Sequence, residues 1–429
     1  MRDFLPEDIR RRDYVIGIIR QVYERYGFEP LETPAVENLE TLMGKYGEEG
    51  NQLIFKILMR GEHEASGKAD LALRYDLTVP LARVIAHHHA KLPRLFKRYQ
   101  IQPVWRADRP ARGRFREFYQ CDVDAVGSTS PVIEAELCAA VSDVLSELGF
   151  SDFVIRLNHR RLLSAALAAA GVADKQHGDA LIAVDKLDKI GADGVRAEFL
   201  ARGMTAESAS ALLELFGLGE SLDGIQRFVG AGGAEALDNL GAVLSLTAGT
   251  SAATRLKIDT SLARGLSYYT GAIMEIQVEG IGSLGGGGRY DNLVGMFLGQ
   301  NIPACGFSLG LERILVVMAE RNMFPPSLAT TPADVMMAVF DAKDMPHALR
   351  VAALLRQAGL RVLVYPDADK IGKQIKYADS IGIPFVAILG GDEVEKGTVT
   401  VKNLKAQSQQ VYTQADAGGK IREELTTRG

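Results

Sequence analysis

The segment at residues 104–127, VWRADRPARGRFREFYQCDVDAVG, constrains the fold more than any other stretch of the chain. Together with the apolar pattern at residues 97–104, it predicts two strands joined by a charged loop. On the second strand, four side chains alternate with neighbours such as Cys121 and Val123, and so they share one face. These four are Phe118, Gln120, Asp122 and Asp124. Carboxyl and amide groups on one face of a strand predict a sheet that presents a binding site.

The loop between these strands carries five arginines and no lysine: Arg106, Arg109, Arg112, Arg114 and Arg116. A planar guanidinium group matches two phosphate oxygens at once, whereas an ammonium group does not. Phe115 and Phe118 lie among the arginines, as a stacking site for a base requires. The loop therefore predicts phosphate recognition, and a solvated charged hairpin is the alternative that the loop alone leaves open.

Three further stretches could contribute to a site. GGGGRYD at residues 285–291 lets a backbone approach another group closely, but it matches neither a Walker loop nor GxGxxG, and a mobile surface loop is the alternative. GFSLGLER at residues 306–313 ends in an arginine at a helix start, where a cation can meet phosphate, although such an arginine is common. In LRYDLT at residues 73–78, Asp76 and Thr78 suit an ammonium group or, alternatively, a helix N-cap.

The stretch RGLSYYTG at residues 264–271 combines one cation with two adjacent phenols on a segment that glycine keeps thin. Its role depends on which other groups share the site. The three histidines at residues 87–89, in contrast, do not predict a metal site. Adjacent residues on a helix point in different directions, and no second cluster supplies further ligands.

The length of 429 residues exceeds the usual size of one hydrophobic core and predicts two or three domains. Helical periods rich in Ala, Leu and Gly predict a helical insertion at about residues 160–250. Residues 330–332 mark a linker, so a first domain is expected at residues 1–326. Alternating strand and helix patterns then predict an α/β module at residues 332–429.

Composition narrows the class of protein. A hydrophobic share of 47% predicts a globular chain. The net charge of −5 does not indicate a nucleic-acid partner overall, so such a partner must meet local basic patches. Three scattered cysteines support neither a zinc knuckle nor a disulfide framework and predict a reducing, cytoplasmic location. No apolar run reaches the roughly 18 residues of a membrane span.

These stretches resemble the histidyl-tRNA synthetase family of class II aminoacyl-tRNA synthetases, in order and along essentially the whole chain. The general class II features are FEPLETPAVE at residues 28–37 for motif 1, residues 104–127 for motif 2, ACGFSLGLERI at residues 304–314 for motif 3, and LRYDLT for the amino-acid-binding strand. RGLSYYTG and GGGGRYD are similar to the two histidine-specific signatures, which are the specific part of the match. The C-terminal module resembles the anticodon-binding domain of the same subclass.

The resemblance implies an α+β catalytic domain, with an antiparallel sheet flanked by helices and a helical insertion, followed by an α/β anticodon-binding domain, in a homodimer. It implies a ligase in which the carboxylate of L-histidine attacks the α-phosphorus of ATP and the acyl group then passes to the 3′ end of tRNA(His). Because a carboxylate is already a nucleophile, positioning and charge neutralisation should contribute more than base catalysis. Mg²⁺ is expected with the pyrophosphate, without metal-ligating residues of the protein.

The same resemblance implies roles for six residues in ATP binding. Arg106 would hold the α-phosphate, Arg313 would hold the γ-phosphate end, and Phe118 would stack on adenine. The other three would orient the adenine side, contact the triphosphate and shape the loop, and they are Asp108, Arg114 and Arg116.

For histidine, the resemblance implies that the ammonium group is received by Asp76, Thr78 and Gln120. It implies that the imidazole ring, whose two nitrogens both need partners, is surrounded by Asp124, Tyr268, Tyr269 and Tyr290. Arg264 would lie between the substrate carboxylate and the α-phosphate, and with Arg106 it would be catalytic. One departure concerns this arginine: the family commonly has Asp where this chain has Ser267, and serine cannot neutralise a neighbouring cation.

Three other classes of protein fit the sequence less well. An inert paralogue that regulates the first enzyme of histidine biosynthesis lacks the C-terminal module. A tRNA-sensing module fused to a kinase requires a kinase segment, which these 429 residues do not contain. A generic ATP-binding protein with no transfer step would not need a module of the anticodon-binding type.

Overall fold

The structure is a computed structural model, which describes residues 1–61, 66–219, 221–263, 268–325, 328 and 331–426, apart from the side chains of residues 48 and 49. By its internal contacts the chain divides into two compact units. One consists of residues 1–5 and 11–323, and the other of residues 6–10 and 324–429. Within the described ranges, no helix has both the length and the hydropathy needed to cross a membrane.

The strands of the first unit are β1 (Glu29–Pro30), β2 (Val36–Asn38), β3 (Lys56–Leu58), β4 (Ala69–Leu73), β5 (Phe96–Trp105), β6 (Glu117–Val126), β7 (Phe153–His159), β8 (Leu256–Ile258), β9 (Ala272–Val278), β10 (Gly282–Arg289) and β11 (Ala304–Gly310). The helices up to the end of this unit are α1 (Pro6–Arg25), α2 (Leu39–Leu42), α3 (Gly47–Gln52), α4 (Thr78–His88), α5 (Val132–Glu147), α6 (Arg160–Ala169), α7 (His177–Val184), α8 (Leu187–Ala201), α9 (Ala206–Gly217), α10 (Leu222–Val229), α11 (Ala234–Thr247), α12 (Gly295–Leu298) and α13 (Leu311–Glu320).

The described residues of this unit form a large sheet in the order β1-β5-β6-β11-β10-β9-β7-β8. The six central strands, β5-β6-β11-β10-β9-β7, each run antiparallel to their neighbours. The two outer pairs, β1–β5 and β7–β8, are parallel. The predicted antiparallel sheet is thus confirmed as the centre of a mixed sheet. The parallel edge at β8 follows from connectivity, because α6–α11 form a long crossover between β7 and β8 and parallel neighbours require such a connection. These helices form the predicted helical insertion, and their hydrophobic core, which includes Phe199 and Leu212, extends to Ile273 of β9.

The glycine run at residues 285–288 is part of β10, in the interior of the sheet, so the alternative of a mobile surface loop is wrong. An added Cβ would lie 2.4 Å from the Ser308 carbonyl oxygen at Gly285, and 2.1 Å from the Gly306 carbonyl oxygen at Gly287. Side chains at these positions would collide with β11. Glycine therefore allows the neighbouring strands to approach closely at the centre of the sheet.

The second unit contains β12 (Val335–Val339), β13 (Val362–Val364), β14 (Phe385–Leu389), β15 (Thr398–Asn403) and β16 (Ser408–Thr413), with helices α14 (Met345–Gln357), α15 (Ile371–Ser380), α16 (Gly391–Lys396) and α17 (Ala417–Thr426). Its described strands are ordered β13-β12-β14-β15-β16, with the first three parallel and the last two antiparallel. All residues of β12 and β14 are buried, as expected for parallel strands covered on both faces. The predicted α/β module is confirmed.

Candidate active site

The polar face that the sequence predicts lies on β6, between β5 and β11. On this face, Gln120 Nε2 donates a hydrogen bond to Ser308 Oγ of β11 at 3.0 Å. Gln120 Oε1 and Asp122 Oδ1 are buried and have no hydrogen-bond partner among the described residues. Buried acceptors without partners are rare in folded proteins. This face is therefore suited to receive donors from a bound molecule.

Asp124, on the same face, is held from two sides. Its Oδ2 lies 2.9 Å from Arg98 Nη2, and its Oδ1 accepts a hydrogen bond from the Tyr290 hydroxyl. Burial raises the pKa of Asp124, while Arg98 and Tyr290 oppose that effect. An added Cβ at Gly306 of β11 would lie 1.8 Å from Asp124 Oδ1. The glycine of GFSLGLER at that position is thus required by the Asp124 side chain.

Asp76, just after β4, fills the helix-capping role that its sequence context left open, and it also contacts two tyrosines. Its Oδ1 accepts hydrogen bonds from the Val79 backbone N–H at 3.1 Å, in the first turn of α4, and from the Tyr46 hydroxyl at 2.9 Å. Its Oδ2 accepts a longer one from the Tyr268 hydroxyl at 3.4 Å. Burial raises the pKa of Asp76. The carboxyl group caps the helix and also faces the tyrosines, and Thr78, the first residue of α4, is half-buried beside it.

Three tyrosines form a wall next to these carboxyl groups. The ring centroids of Tyr268 and Tyr269 are 5.2 Å apart, and those of Tyr268 and Tyr290 are 5.9 Å apart. An added Cβ at Gly288 would lie 3.0 Å from the Tyr269 ring, so the glycine run also makes room for this side chain. Burial raises the pKa of all three phenols, which leaves each as a neutral hydroxyl able to donate a hydrogen bond.

Arg106, at the end of β5, lies against two aromatic rings. Its guanidinium carbon is 4.3 Å from the Tyr75 ring centroid and 5.3 Å from that of Phe118. Its Nε donates to the Tyr75 carbonyl oxygen at 3.0 Å, which fixes the direction of the side chain. The structure therefore brings together a cation and an aromatic ring of the predicted nucleotide site. Tyr75, which Arg106 contacts, directly precedes Asp76. Arg106 therefore lies next to the pocket formed by the carboxyl groups and the tyrosines.

Some arginines of the charged loop at residues 107–116 contact other residues of the same loop. Arg116 Nε donates to the Asp108 carbonyl oxygen at 3.1 Å, and Arg114 Nη1 lies 3.9 Å from Asp108 Oδ1. Arg112 Nε donates to Glu320 of α13 at 3.1 Å, and this pair is exposed. Arg114 and Arg116 therefore shape the loop, and Arg112 joins it to α13. Arg106, just before the loop, lies against the aromatic rings instead.

Phe115, predicted together with Phe118 as part of a base-stacking site, has another partner. The guanidinium carbon of Arg2 lies 4.6 Å from its ring centroid and 4.6 Å from that of Phe4. Phe118 and Phe115 thus face different arginines. Of the two aromatic side chains, Phe118 is the one that lies with Arg106.

Arg313, in the first turn of α13, meets both β10 and the charged loop. Its Nη1 donates to the Ser283 carbonyl oxygen at 2.5 Å, and an added Cβ at Gly113 would lie 3.1 Å from its Cγ. Gly113 has a φ of +67°, a conformation that glycine adopts readily, so the turn of the loop can lie against the arginine. Segments far apart in the sequence therefore converge at the helix start.

Arg264 and Ser267 lie outside the described residues. The RYD part of GGGGRYD is described, and its arginine has a structural role. Arg289 Nε lies 2.6 Å from Glu134 of α5 in a buried ion pair. An added Cβ at Gly271 would lie 2.9 Å from Arg289 Cδ, so the glycine that ends RGLSYYTG makes room for this arginine.

Sequence reasoning missed three side chains that organise the site: Tyr46, Arg98 and Glu312. Tyr46 and Arg98 contact Asp76 and Asp124, as described above. Both carboxylate oxygens of Glu312 accept the Tyr119 backbone N–H at 3.0 Å and thus attach α13 to β6. Burial raises the pKa of Glu312 to about 7. The alternation along β5 could have identified Arg98 as a polar side chain of this site. It pairs with Asp124, and so it lies on the same face of the sheet as the polar residues of β6.

The described residues contain no group of three or more His, Cys, Asp or Glu side chains placed to hold a metal ion. Magnesium commonly binds proteins through one or two carboxylates together with substrate phosphates. A magnesium ion held chiefly by the phosphates of a nucleotide would not require such a group.

Comparisons with known proteins agree with this arrangement. Residues 1–314 match the family model described as histidyl-tRNA synthetase, and residues 334–424 match that of the anticodon binding domain. The chain is 41% identical to the histidine–tRNA ligase of Cytophaga hutchinsonii, over 94% of each chain, and 42% identical to that of Porphyromonas gingivalis, over 97% of this chain and 96% of that one. The crystal structure of histidyl-tRNA synthetase from Nostoc sp. superposes with a TM-score of 0.82 at 33% identity, covering 99% of this chain and 97% of that one. The chain belongs to the histidyl-tRNA synthetase family.

Proposed function

We propose that this chain is a histidine–tRNA ligase that activates L-histidine with ATP to histidyl-adenylate and transfers the histidyl group to the 3′ end of tRNA(His). One observation carries the proposal. A buried set of carboxyl, amide and phenol groups, suited to a small polar substrate, adjoins an arginine that lies against an aromatic ring. Family membership supports the same reaction.

Histidine binds with its ammonium group toward Asp76, Thr78 and Gln120 and its imidazole toward Asp124, Tyr268, Tyr269 and Tyr290. The burial of Asp76 supports the first assignment, as does Gln120 Oε1, which has no hydrogen-bond partner in the described part of the chain, because an ammonium group supplies three donors. The arrangement at Asp124 supports the second. A carboxylate held by Arg98 and Tyr290 can accept an imidazole N–H, and a neutral phenol can donate to the other ring nitrogen.

ATP binds with its adenine on Phe118 and its α-phosphate at Arg106, and Arg313 meets the γ-phosphate end. The contact between the Arg106 guanidinium and the Phe118 ring supports the pairing of these two roles. Asp108, Arg114 and Arg116 hold the loop that covers the nucleotide, as their mutual contacts suggest. Mg²⁺ enters with the phosphates and neutralises part of the charge of the departing pyrophosphate.

The reaction depends on positioning more than on proton transfer. The substrate carboxylate attacks the α-phosphorus, the bond to pyrophosphate breaks, and the leaving group departs with its negative charge. Arg106 and Arg264 act as catalytic residues, because cations beside the α-phosphorus stabilise the charge that develops there. Arg264 is assigned by its position in RGLSYYTG.

The domains outside the pocket account for the macromolecular partners, which are the tRNA and a second copy of the chain. The catalytic domain covers residues 1–326, with its helical insertion at about residues 160–250, and the domain at residues 332–429 binds the anticodon arm of the tRNA. The match of this module to the anticodon-binding family model supports that role. The catalytic domains form a homodimer through residues 28–37, and the enzyme acts in the cytoplasm.

Pyrophosphate exchange tests the proposal. The protein is incubated with ATP, labelled pyrophosphate and each amino acid in turn, and exchange should depend on histidine. Arg106→Ala and Arg264→Ala should each reduce kcat by about a hundred-fold or more, the usual cost of removing a group that stabilises transition-state charge. Arg255→Ala is a matched control, because Arg255 donates to the Ser151 carbonyl oxygen at the protein surface. Exchange that depends on another amino acid would contradict the proposal.

Deletion of residues 332–429 tests the domain assignment. Histidine-dependent exchange should remain within about ten-fold of that of the whole chain. Charging of tRNA(His) should fall by several orders of magnitude, because affinity for the tRNA drops ten-fold for every 1.4 kcal/mol or so of binding free energy that the deleted module supplies. A thermal melt of the shortened protein checks that it folds. Equal loss of exchange and charging in a folded protein would show that the assignment is wrong.

A further inference from the structure

Two buried ionisable side chains lie beside the proposed histidine pocket, and the proposed function gives no role to one of them, Asp122. Arg98 on β5 is 0% exposed, and Asp122 on β6 is 2% exposed. They lie on adjacent strands, since Arg98 is the pairing partner of Asp124. Burial of a charged group costs several kcal/mol unless it is paired. Their position next to Asp124 therefore requires a physical explanation.

Arg98 is shared unequally between two carboxyl groups. Its Nη2 lies 2.9 Å from Asp124 Oδ2 but 3.8 Å from Asp122 Oδ2. The contact with Asp124 is an ion pair without hydrogen-bond geometry, but Asp124 has a second anchor in the Tyr290 hydroxyl, which donates to its Oδ1. Asp122 Oδ1 has no hydrogen-bond partner among the described residues. When two carboxyl groups compete for one buried cation, one of them tends to hold a proton. The shorter distance to Arg98 and the contact with Tyr290 favour Asp124 as the anion and Asp122 as the proton carrier.

The surroundings of Asp122 agree with that assignment. Gln100 of β5 lies opposite Asp122 in the strand pairing. The groups that interact electrostatically or by hydrogen bonding with Asp122 are Arg98 of β5, Cys121 and Asp124 of β6, Ser308 of β11, Asp76 before α4, Tyr23 of α1 and Tyr269. Arg98 is the one cation in this described set. Burial raises the pKa of Asp122 to about 7, with Asp124 and Asp76 acting in the same direction and Arg98 and Ser308 opposing them.

We infer that Asp122 is a positioning residue for histidine recognition: while it is protonated, Arg98 remains on Asp124, and when it ionises it draws Arg98 away. Asp124 then keeps one of its two anchors, and the carboxylate that accepts the imidazole N–H loses its fixed orientation. This inference rests on the proposed role of Asp124 in histidine binding. It makes the affinity for histidine, but not that for ATP, fall as pH rises through about 7.

Asp122→Asn tests the inference, because an amide has the shape of the protonated acid and cannot ionise. KM for histidine is measured by pyrophosphate exchange from about pH 6 to pH 8.5 in both proteins. KM should be similar near the lower pH and roughly ten-fold higher in the natural protein at the upper pH, the usual effect of weakening one charge-assisted hydrogen bond. The titration of histidine itself affects both proteins equally, so the ratio of the two KM values isolates Asp122.

Asp152→Asn is the matched control, because Asp152 pairs with Arg321 at the surface and should leave the pH profile unchanged. Parallel profiles for the natural protein and Asp122→Asn would mean that Asp122 has a structural role alone and would overturn the inference. Absence of histidine-dependent exchange in the natural protein would instead refute the proposed function.

A measurement on the natural protein covers the case in which Asp122→Asn does not fold. Calorimetric titration with histidine near pH 7.5, in two buffers of different ionisation enthalpy, reports the protons exchanged on binding. Binding should take up a fraction of one proton, since histidine favours the protonated form of Asp122 and the substrate imidazole is already mostly neutral at that pH. Binding without proton uptake would overturn the inference.

Discussion

The proposed histidine pocket and the charged loop at residues 107–116 hold their polar groups in opposite ways. In the pocket, Asp76 and Asp124 are buried, and each is held by contacts from more than one segment of the chain. In the loop, Arg112 and Arg114 are exposed, and their partners are an exposed glutamate and a neighbouring residue of the same loop. The pocket is fixed by the sheet, whereas the loop is held mainly by surface contacts.

The difference bears on how the two substrates of the proposed reaction would be bound. A buried pocket with fixed donors and acceptors discriminates strongly, because a wrong ligand leaves buried groups unpaired. Exposed arginines can exchange a surface ion pair, which contributes about 0–1 kcal/mol, for a triphosphate at little cost. We therefore expect substitutions in the pocket to change histidine binding strongly and selectively, and substitutions in the loop to have smaller effects.

Gly306→Ala should have the largest effect. The new Cβ would lie 1.8 Å from Asp124 Oδ1, so either the carboxyl group or β11 must move. We expect kcat/KM for histidine in pyrophosphate exchange to fall by about a hundred-fold or more, as a misplacement of about 1 Å can cause. Gly241→Ala in α11 is the control, because its Cβ would meet nothing within 4 Å. Retention of activity within a few-fold would show that the geometry of Asp124 is not critical.

Tyr290→Phe should have a smaller but more selective effect. It removes the hydroxyl that donates to Asp124 and keeps the ring that packs against Tyr268. A hydrogen bond to a charged group contributes about 1.5–3 kcal/mol, so KM for histidine should rise by roughly ten-fold to a hundred-fold. KM for ATP should not change. Tyr26→Phe, which removes a partly exposed hydrogen bond to Asp143, controls for loss of a phenol elsewhere. Equal increases in both KM values would contradict a specific role in histidine binding.

In the pocket, the sequence predicted features that depend on local geometry, and it did not predict features that depend on how strands pair. The period of two along β6 predicted that Gln120, Asp122 and Asp124 share a face, because strand geometry is local. The alternation along β5 could place Arg98 on one face of its strand, but it could not show that Arg98 pairs with Asp124, since the register of β5 and β6 is set by the whole sheet. For the same reason, the glycine run at residues 285–288 could be interpreted either as a loop or as a closely packed strand.

In the charged loop, local sequence predicted the type of residue and not its partners. Arg112 pairs with Glu320, which lies 208 positions away in the sequence. No spacing rule could indicate that contact, because it depends on where α13 ends. The burial of Glu312 was equally hidden, since the apolar side of a helix start does not normally carry a carboxyl group. Tertiary packing, and not propensity, decides both cases.

Arg112→Ala should have a small effect on activity. The exposed pair with Glu320 should contribute less than about 1 kcal/mol to stability, and exchange should change by less than about three-fold. Glu320→Ala should behave in the same way, because each substitution removes the same pair. A loss comparable to that of Arg106→Ala would mean that Arg112 contacts the nucleotide directly, and the contrast between pocket and loop would then fail.

Glu312→Gln should leave catalysis nearly intact and alter the pH dependence of stability instead. Burial raises the pKa of Glu312 to about 7, above its value in the unfolded chain, so the folded protein binds the extra proton between about pH 4.5 and pH 7. Stability should therefore fall as pH rises through that range and level off above it. Glutamine cannot ionise, and it can still accept the Tyr119 N–H through one oxygen, so calorimetry should show a decrease in Tm from about pH 5 to pH 7 that is about 2–4 °C smaller in the variant. Parallel Tm curves would show that the junction between β6 and α13 holds its carboxyl group as an anion throughout this range, and that it belongs with the surface contacts of the loop and not with the buried groups of the pocket.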